Sequence, residues 1–257
     1  MLDWLHSLPN LEIGLVIVAG AVTFCIALPY AVRLRFGLHV SADVAKGAEE
    51  GFKLMASMTM AIMAFGLVQE QTFHRNVEDL AAREATIVLK LDRHLGALGS
   101  PAVQPVRASL RAYVESVVHD EWPLLAQGAR APEATRRLQA VIVGVDGLAA
   151  GADAQADSLS ELRGEAVQLS DVRDARLSAT QLSLPGYYWM AISAVLVILV
   201  VVGWFQGPLA KMLIYVGGVS LGIAMLLTLL IVASGVFMGE SRVGPTALLR
   251  VLPLMGT

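Results

Sequence analysis

The sequence predicts an all-α polytopic membrane protein: four transmembrane helices, with an antiparallel helical bundle inserted between the second and the third. Three observations carry this. Of the 257 residues, 56% are hydrophobic and 16% charged, and the mean hydropathy is +0.63, well above what a water-soluble domain of this size needs. The charge is segregated, with 28 charged side chains in residues 69–186 and 13 in the other 139 residues. In the polar middle, apolar side chains recur at three-four spacing, and no strand-like alternation of useful length occurs.

A helix rises about 1.5 Å per residue through a hydrocarbon core of about 30 Å, so about 20 residues are needed to cross. Uncharged stretches cover residues 13–32, 54–69, 187–210 and 212–239. The second is short, but Lys53 can snorkel at one end and the helix can continue through Gln69 and Glu70 into water. The first is read as a retained anchor, because residues 1–12 carry Asp3 and Glu12 but none of the basic residues a cleaved signal needs. Trp4, Tyr30, Tyr187, Tyr188, Trp189 and Trp204 fall near span ends, where amphipathic rings favour the headgroup layer. Gly207-Pro208 supplies the turn between the last two spans.

The short loops set an orientation. Arg33, Arg35, Lys46, Lys53 and Lys211 lie in the two hairpins, against Arg242 and Arg250 in the tails, and this excess places the hairpins in the cytoplasm. The expected location is the bacterial inner membrane, multi-pass, with the bundle extracytoplasmic. The expected organisation is residues 1–69 as membrane part with spans one and two, 70–186 as the bundle, and 187–257 as membrane part with spans three and four and a C-terminal tail.

Within the insert, Phe73, Val77, Leu80, Ile87, Leu91 and Leu98 form one stripe, so the second span is expected to run on out of the bilayer as the first bundle helix. A second helix carries Val106, Leu110, Tyr113 and Val117 inward and ends near Pro123 and Gly128. A third covers 133–148 and a fourth 158–182. Glu84 occupies an inward position between Leu80 and Ile87, and Glu121 follows Val117. A buried carboxylate needs a partner, because an unpaired charge costs several kcal/mol to desolvate. Arg173 on the fourth helix supplies one, which makes Glu84, Glu121 and Arg173 a structural ion-pair set that fixes how the bundle helices align.

The combination of Glu84-Ala85 with Arg111-Ala112-Tyr113 and Asp120-Glu121-Trp122-Pro123 resembles the bestrophin-like family of bacterial membrane proteins. The layout agrees over essentially the whole chain, and the residue-level match rests on Glu84 and on Tyr113, Glu121, Trp122 and Pro123. The resemblance implies a homo-oligomer, pentameric as in true bestrophins, that passes small ions, anions among them, through a pore lined by the second span. On that span Met58, Ile62, Phe65 and Gln69 share one face and would form an apolar constriction followed by a polar mouth. The competing reading of each is helix packing. The resemblance also implies a cytoplasmic bundle, opposite to the loop charges.

Other chemistry is sparse. Gly218-Val219-Ser220-Leu221-Gly222 formally matches a nucleophile elbow, but it lies inside an apolar span and reads better as a small-residue face, Gly218 with Gly222, for helix association. Ser220 can then bond its own backbone. No metal-binding, phosphate-loop or dinucleotide fingerprint is present, so neither a cofactor nor a metal is expected, and no enzymatic activity. His119, Asp120 and Glu121 are consecutive and point to different faces of a helix, while His74 and His94 read as isolated surface residues. The single cysteine, Cys25, allows no intramolecular disulfide, and a net charge of −3 offers no surface for nucleic acid. The expected partners are the lipid bilayer, further copies of the chain and small ions. The alternative function is a non-conducting sensory or interaction protein whose bundle binds a ligand or partner.

Overall fold

The computed structural model describes residues 9–36, 40–125, 127, 129–149, 156–179, 184–205, 209–234 and 243–255. Trp4, Gly128, Gly207, Pro208 and Arg242 lie outside them. The described residues are helical with no strand: α1 Asn10–Phe36, α2 Ala42–Ala97, α3 Gln104–Ser116, α4 Trp122–Leu125, α5 Pro132–Ala149, α6 Ala156–Ala179, α7 Gly186–Trp204, α8 Leu209–Ser234 and α9 Thr246–Val251. Four are long and apolar enough to cross a membrane: α1, α2, α7 and the Ile214–Ser234 part of α8.

The chain forms two compact units. One comprises Met1–Thr72 with Ser183–Arg242, the other Phe73–Leu182 with Val243–Thr257. The C-terminal segment therefore groups with the bundle, whereas the sequence placed all of 187–257 in the membrane part. Its apolar residues explain this: Val243, Leu248, Val251 and Met255 are all buried. The indole nitrogen of Trp122 donates to the Val243 carbonyl at 2.9 Å.

In the membrane unit, Phe52, Ala56 and Met63 of α2 pack with Ile192 and Leu199 of α7 and with Val216, Ile223 and Leu230 of α8. α1 packs along α8 and contains a π-turn over Thr23–Ala27, where the indole of Trp204 donates to the Phe24 carbonyl at 3.2 Å. Glu70 does not run out into water. It is 1% exposed, and its Oε1 accepts the Leu184 N–H at 3.1 Å just ahead of α7. A carboxylate there stabilises the free amides and positive end of the helix.

Gly66 has a steric reason to be glycine. Tyr188 of α7 lies across it and donates its hydroxyl to the Ile62 carbonyl. A Cβ on residue 66 would stand 2.6 Å from the Tyr188 hydroxyl and 3.0 Å from Cε1. Gly66→Ala is therefore expected to destabilise the membrane unit by about 1–3 kcal/mol through overpacking. Thermal unfolding in detergent micelles measures this, and adding Tyr188→Phe should recover part of the loss, because the clashing oxygen is gone.

In the second unit, α3 packs on α5 and α5 on α6, and the later part of α2 completes the bundle. Its inward stripe is Val77, Ala81, Glu84, Val88, Leu91 and Leu95, each 5% exposed or less. Ser100 accepts the Ala102 N–H where the chain turns into α3. Between α3 and α4 lies a second π-turn, Val117–Glu121, in which Trp122 N–H bonds the Val117 carbonyl five residues back. Pro123 has no N–H to return to the His119 carbonyl, which favours this irregularity one turn earlier. The wider turn also holds Tyr113, Val117, Glu121 and Leu125 on one buried face, where an ideal α-helix would drift by about 40° for every four residues.

Candidate functional site

Two features of the sequence carry functional expectations, and the structure presents each within a single unit. The first is the buried charge set. Glu84 on α2, Glu121 at the end of the π-turn, and Arg173 and Arg176 on α6 are each 3% exposed or less. Arg176 stands at the centre. Its Nε donates to Glu84 Oε2 at 2.6 Å and its Nη2 to Glu121 Oε1 at 2.8 Å, and its guanidinium lies 4.8 Å from the centre of the Trp122 ring. Arg173 pairs with the other oxygen of Glu121 and donates to the Thr135 hydroxyl at 3.1 Å. Tyr113 donates to Glu84 Oε1 at 2.5 Å. Two carboxylates and two guanidiniums balance, so the cluster carries no net charge.

The sequence had Arg173 as the partner for the inward carboxylates and missed Arg176. Arg173 takes Glu121 alone, and Glu84 is served by Arg176 and Tyr113. The signal existed: Leu169, Arg173 and Arg176 are spaced by four and three on α6, the same face as Leu162. Asp92 was missed too, although Arg107 grips it with two parallel bonds of 2.9 and 3.0 Å. Pro123 makes no part of the cluster. It is exposed and acts through the backbone, as described above.

Burial, and after it the negative charge of Glu84, raises the Tyr113 phenol well above the ordinary tyrosine value of 10.0. Folding thus favours the protonated hydroxyl. The corresponding stability is fully present below pH 10 and is lost as the pH climbs from there toward the folded-state value. Tyr113→Phe should flatten this alkaline decline, which unfolding measured on either side of that pH will show.

The second feature is the membrane part of α2. Phe52, Ala56, Thr59 and Met63 are buried, whereas Met58 is 51% and Phe65 61% exposed, and Gln69 is exposed as well. Ile62 departs from the expected face. It is half-buried and packs against the membrane core, because the inner face lies between it and Met63. The outward stripe is better written Leu54, Met58, Ala61, Phe65 and Val68, with Gln69 beside it. Gly218 and Gly222 of α8 also face outward, and a Cβ on either would touch nothing within the chain. Its neighbour Gly217 is the glycine that packs, with Ile26 3.1 Å from where its Cβ would be. Ser220 is buried, and its hydroxyl has no hydrogen-bond partner, its own backbone included.

Fold and site together define a multi-pass helical membrane protein whose extramembrane bundle is closed by a buried carboxylate–guanidinium cluster. The chain belongs to the Bestrophin-like domain family, whose model matches residues 20–248. A crystal structure of a variant of a bacterial bestrophin homologue from Klebsiella pneumoniae superposes with a TM-score of 0.67 at 14% identity, covering 96% of this chain and 98% of that one. A second structure of the Klebsiella pneumoniae homologue matches at 0.67 and 13% identity, over 93% and 94% of the two chains. The structure of another membrane protein gives 0.70 at 12% identity, over 95% and 99%. At these identities the likeness is one of fold. No curated protein sequence matches the chain.

Proposed function

We propose that the chain assembles into a homo-oligomer, a pentamer, that conducts small ions through a pore lined by the outward stripe of α2. The observation that carries this is the asymmetry of that helix. One face is sealed into the membrane core by Phe52, Ala56 and Met63, while the opposite face exposes Met58 and Phe65 and reaches Gln69. Apolar side chains at successive turns followed by an amide are what a constriction that gates by dewetting, opening into a polar mouth, requires. The small residues Ala61 and Ala64 between them let neighbouring helices approach. Family membership supports the same reading. Anions are the proposed permeant class.

Purified protein in liposomes tests conduction. Intact oligomers should release trapped chloride or nitrate, and absence of flux across several salts sinks the reading in favour of a non-conducting sensory or interaction protein. The subunit count and the residues nearest the symmetry axis test the assembly: a monomer, or a two-fold dimer without an axial opening, is incompatible with this pore.

The loop charges support hairpins in the cytoplasm and an extracytoplasmic bundle. Cysteines placed at the exposed positions Ser41 and Ser158 read the orientation against a low background, since the native Cys25 is buried. Labelling of Ser158→Cys only from the cytoplasm reverses the orientation and leaves the pore reading untouched.

A further inference from the structure

Near the C-terminal end of α2, Lys90 and His94 stand one turn apart and face Glu161 and Glu165, one turn apart on α6. His94 Nδ1 lies 2.8 Å from Glu165 Oε1. Lys90 Nζ lies 2.9 Å from the same oxygen and 3.3 Å from Glu161 Oε1. The Glu165 side chain is only 4% exposed, yet neither of its oxygens accepts a hydrogen bond of good geometry. Its buried charge is therefore held by proximity to cationic groups and by little else. One ligand-capable atom from each of His94, Glu161 and Glu165 falls within 4.8 Å of the others.

We propose that His94, Glu161 and Glu165 form a binding site for a divalent first-row transition cation such as zinc, with Lys90 as the resident counter-cation that the metal displaces. An imidazole nitrogen with two carboxylates is a donor set such cations accept, and three protein ligands leave a position for water. Charge favours the exchange. A single ammonium leaves two carboxylates one charge short of balance, and a dication removes the deficit. The geometry permits it. Zinc–ligand bonds of about 2.0–2.2 Å require the donors to draw closer than they stand, and the side chain that must move, Glu161, is 57% exposed. Lys90 is 52% exposed and can swing into solvent, which also opens the entry path. Glu165, held inside the bundle, is the fixed ligand.

The sequence gave no hint of this, because each helix contributes only one half of the set and His94 alone reads as a surface histidine. The Lys90–His94 and Glu161–Glu165 spacings mark a shared face only once α2 and α6 are known to be neighbours.

The full chain in detergent micelles, stripped with a chelator, is titrated with Zn²⁺ against a chromophoric competitor, and with Co²⁺, whose absorption reports coordination. One equivalent of Zn²⁺ should bind per chain. Glu161→Ala, a change at an exposed position that leaves folding intact, and His94→Phe should each weaken binding by about tenfold or more. Lys90→Met should tighten it by about tenfold, and Zn²⁺ should raise the unfolding midpoint of Lys90→Met more than that of the unmodified chain. Absence of stoichiometric uptake by both the unmodified chain and Lys90→Met overturns the proposal. So does uptake that is undiminished in Glu161→Ala and His94→Phe, which would place the metal elsewhere.

Discussion

Arg176→Met should be among the most damaging single substitutions in the chain, costing about 3–5 kcal/mol of stability. Removing the guanidinium strands two carboxylates at once, since Glu84 and Glu121 are both fully buried and both bound to it. Against a total folding stability of about 5–15 kcal/mol, such a loss approaches unfolding. Denaturant unfolding of the full chain in micelles, followed by far-ultraviolet circular dichroism, measures it. Arg176→Lys should recover only a fraction, because an ammonium cannot present two forked bonds to two carboxylates while lying over the Trp122 ring. Adding Glu84→Gln and Glu121→Gln to Arg176→Met should return much of the loss, since the cost lies in the unpaired charges. A loss below about 1 kcal/mol for Arg176→Met, within the range of an exposed pair, would contradict the burial.

Met58→Glu should change permeation more than any other single substitution in the proposed pore. The side chain is 51% exposed, so the variant folds, and in a ring of second spans each subunit adds one carboxylate to the narrowest apolar level. The ratio of anion to cation flux should fall by about tenfold, equivalent to about 1.4 kcal/mol. Ion flux from liposomes holding matched salts reads the ratio directly, and an unchanged ratio with intact oligomers removes Met58 from the pore. Ile62→Glu is the weaker probe. Ile62 is half-buried against the membrane core, so its effect on flux is entangled with misfolding.

The two features were legible in the sequence to different degrees. The spans, the continuous α2 and the four bundle helices are written in local spacing, which needs no knowledge of neighbours: Val77, Glu84 and Leu91 share a face whatever they touch. The need for a partner to Glu84 and Glu121 follows from desolvation alone. The identity of that partner does not, because Arg173 and Arg176 are equally basic, and which of them reaches which carboxylate depends on the rotation of α6 about its axis. Ile62 shows the same limit on α2. A face drawn at four, three and four residues is wide enough to include its edge, and only packing against α7 and α8 decides which side of the edge is buried. The C-terminal segment was misplaced because six helical residues, Thr246–Val251, are too few to display a period.

The π-turn at Val117–Glu121 has a consequence on a different axis of variation from any amino-acid replacement. It is one residue more than an α-helical turn needs, a single insertion accommodated without a loop. Deleting the exposed His119 would let an ordinary helix run through and rotate everything after it by about 100°. Glu121 would leave Arg173 and Arg176, and Trp122 would leave Val243, although neither side chain had been altered. At this point of the chain the information is carried by length, so a scan of substitutions at His119 should be nearly silent and a one-codon deletion there should not.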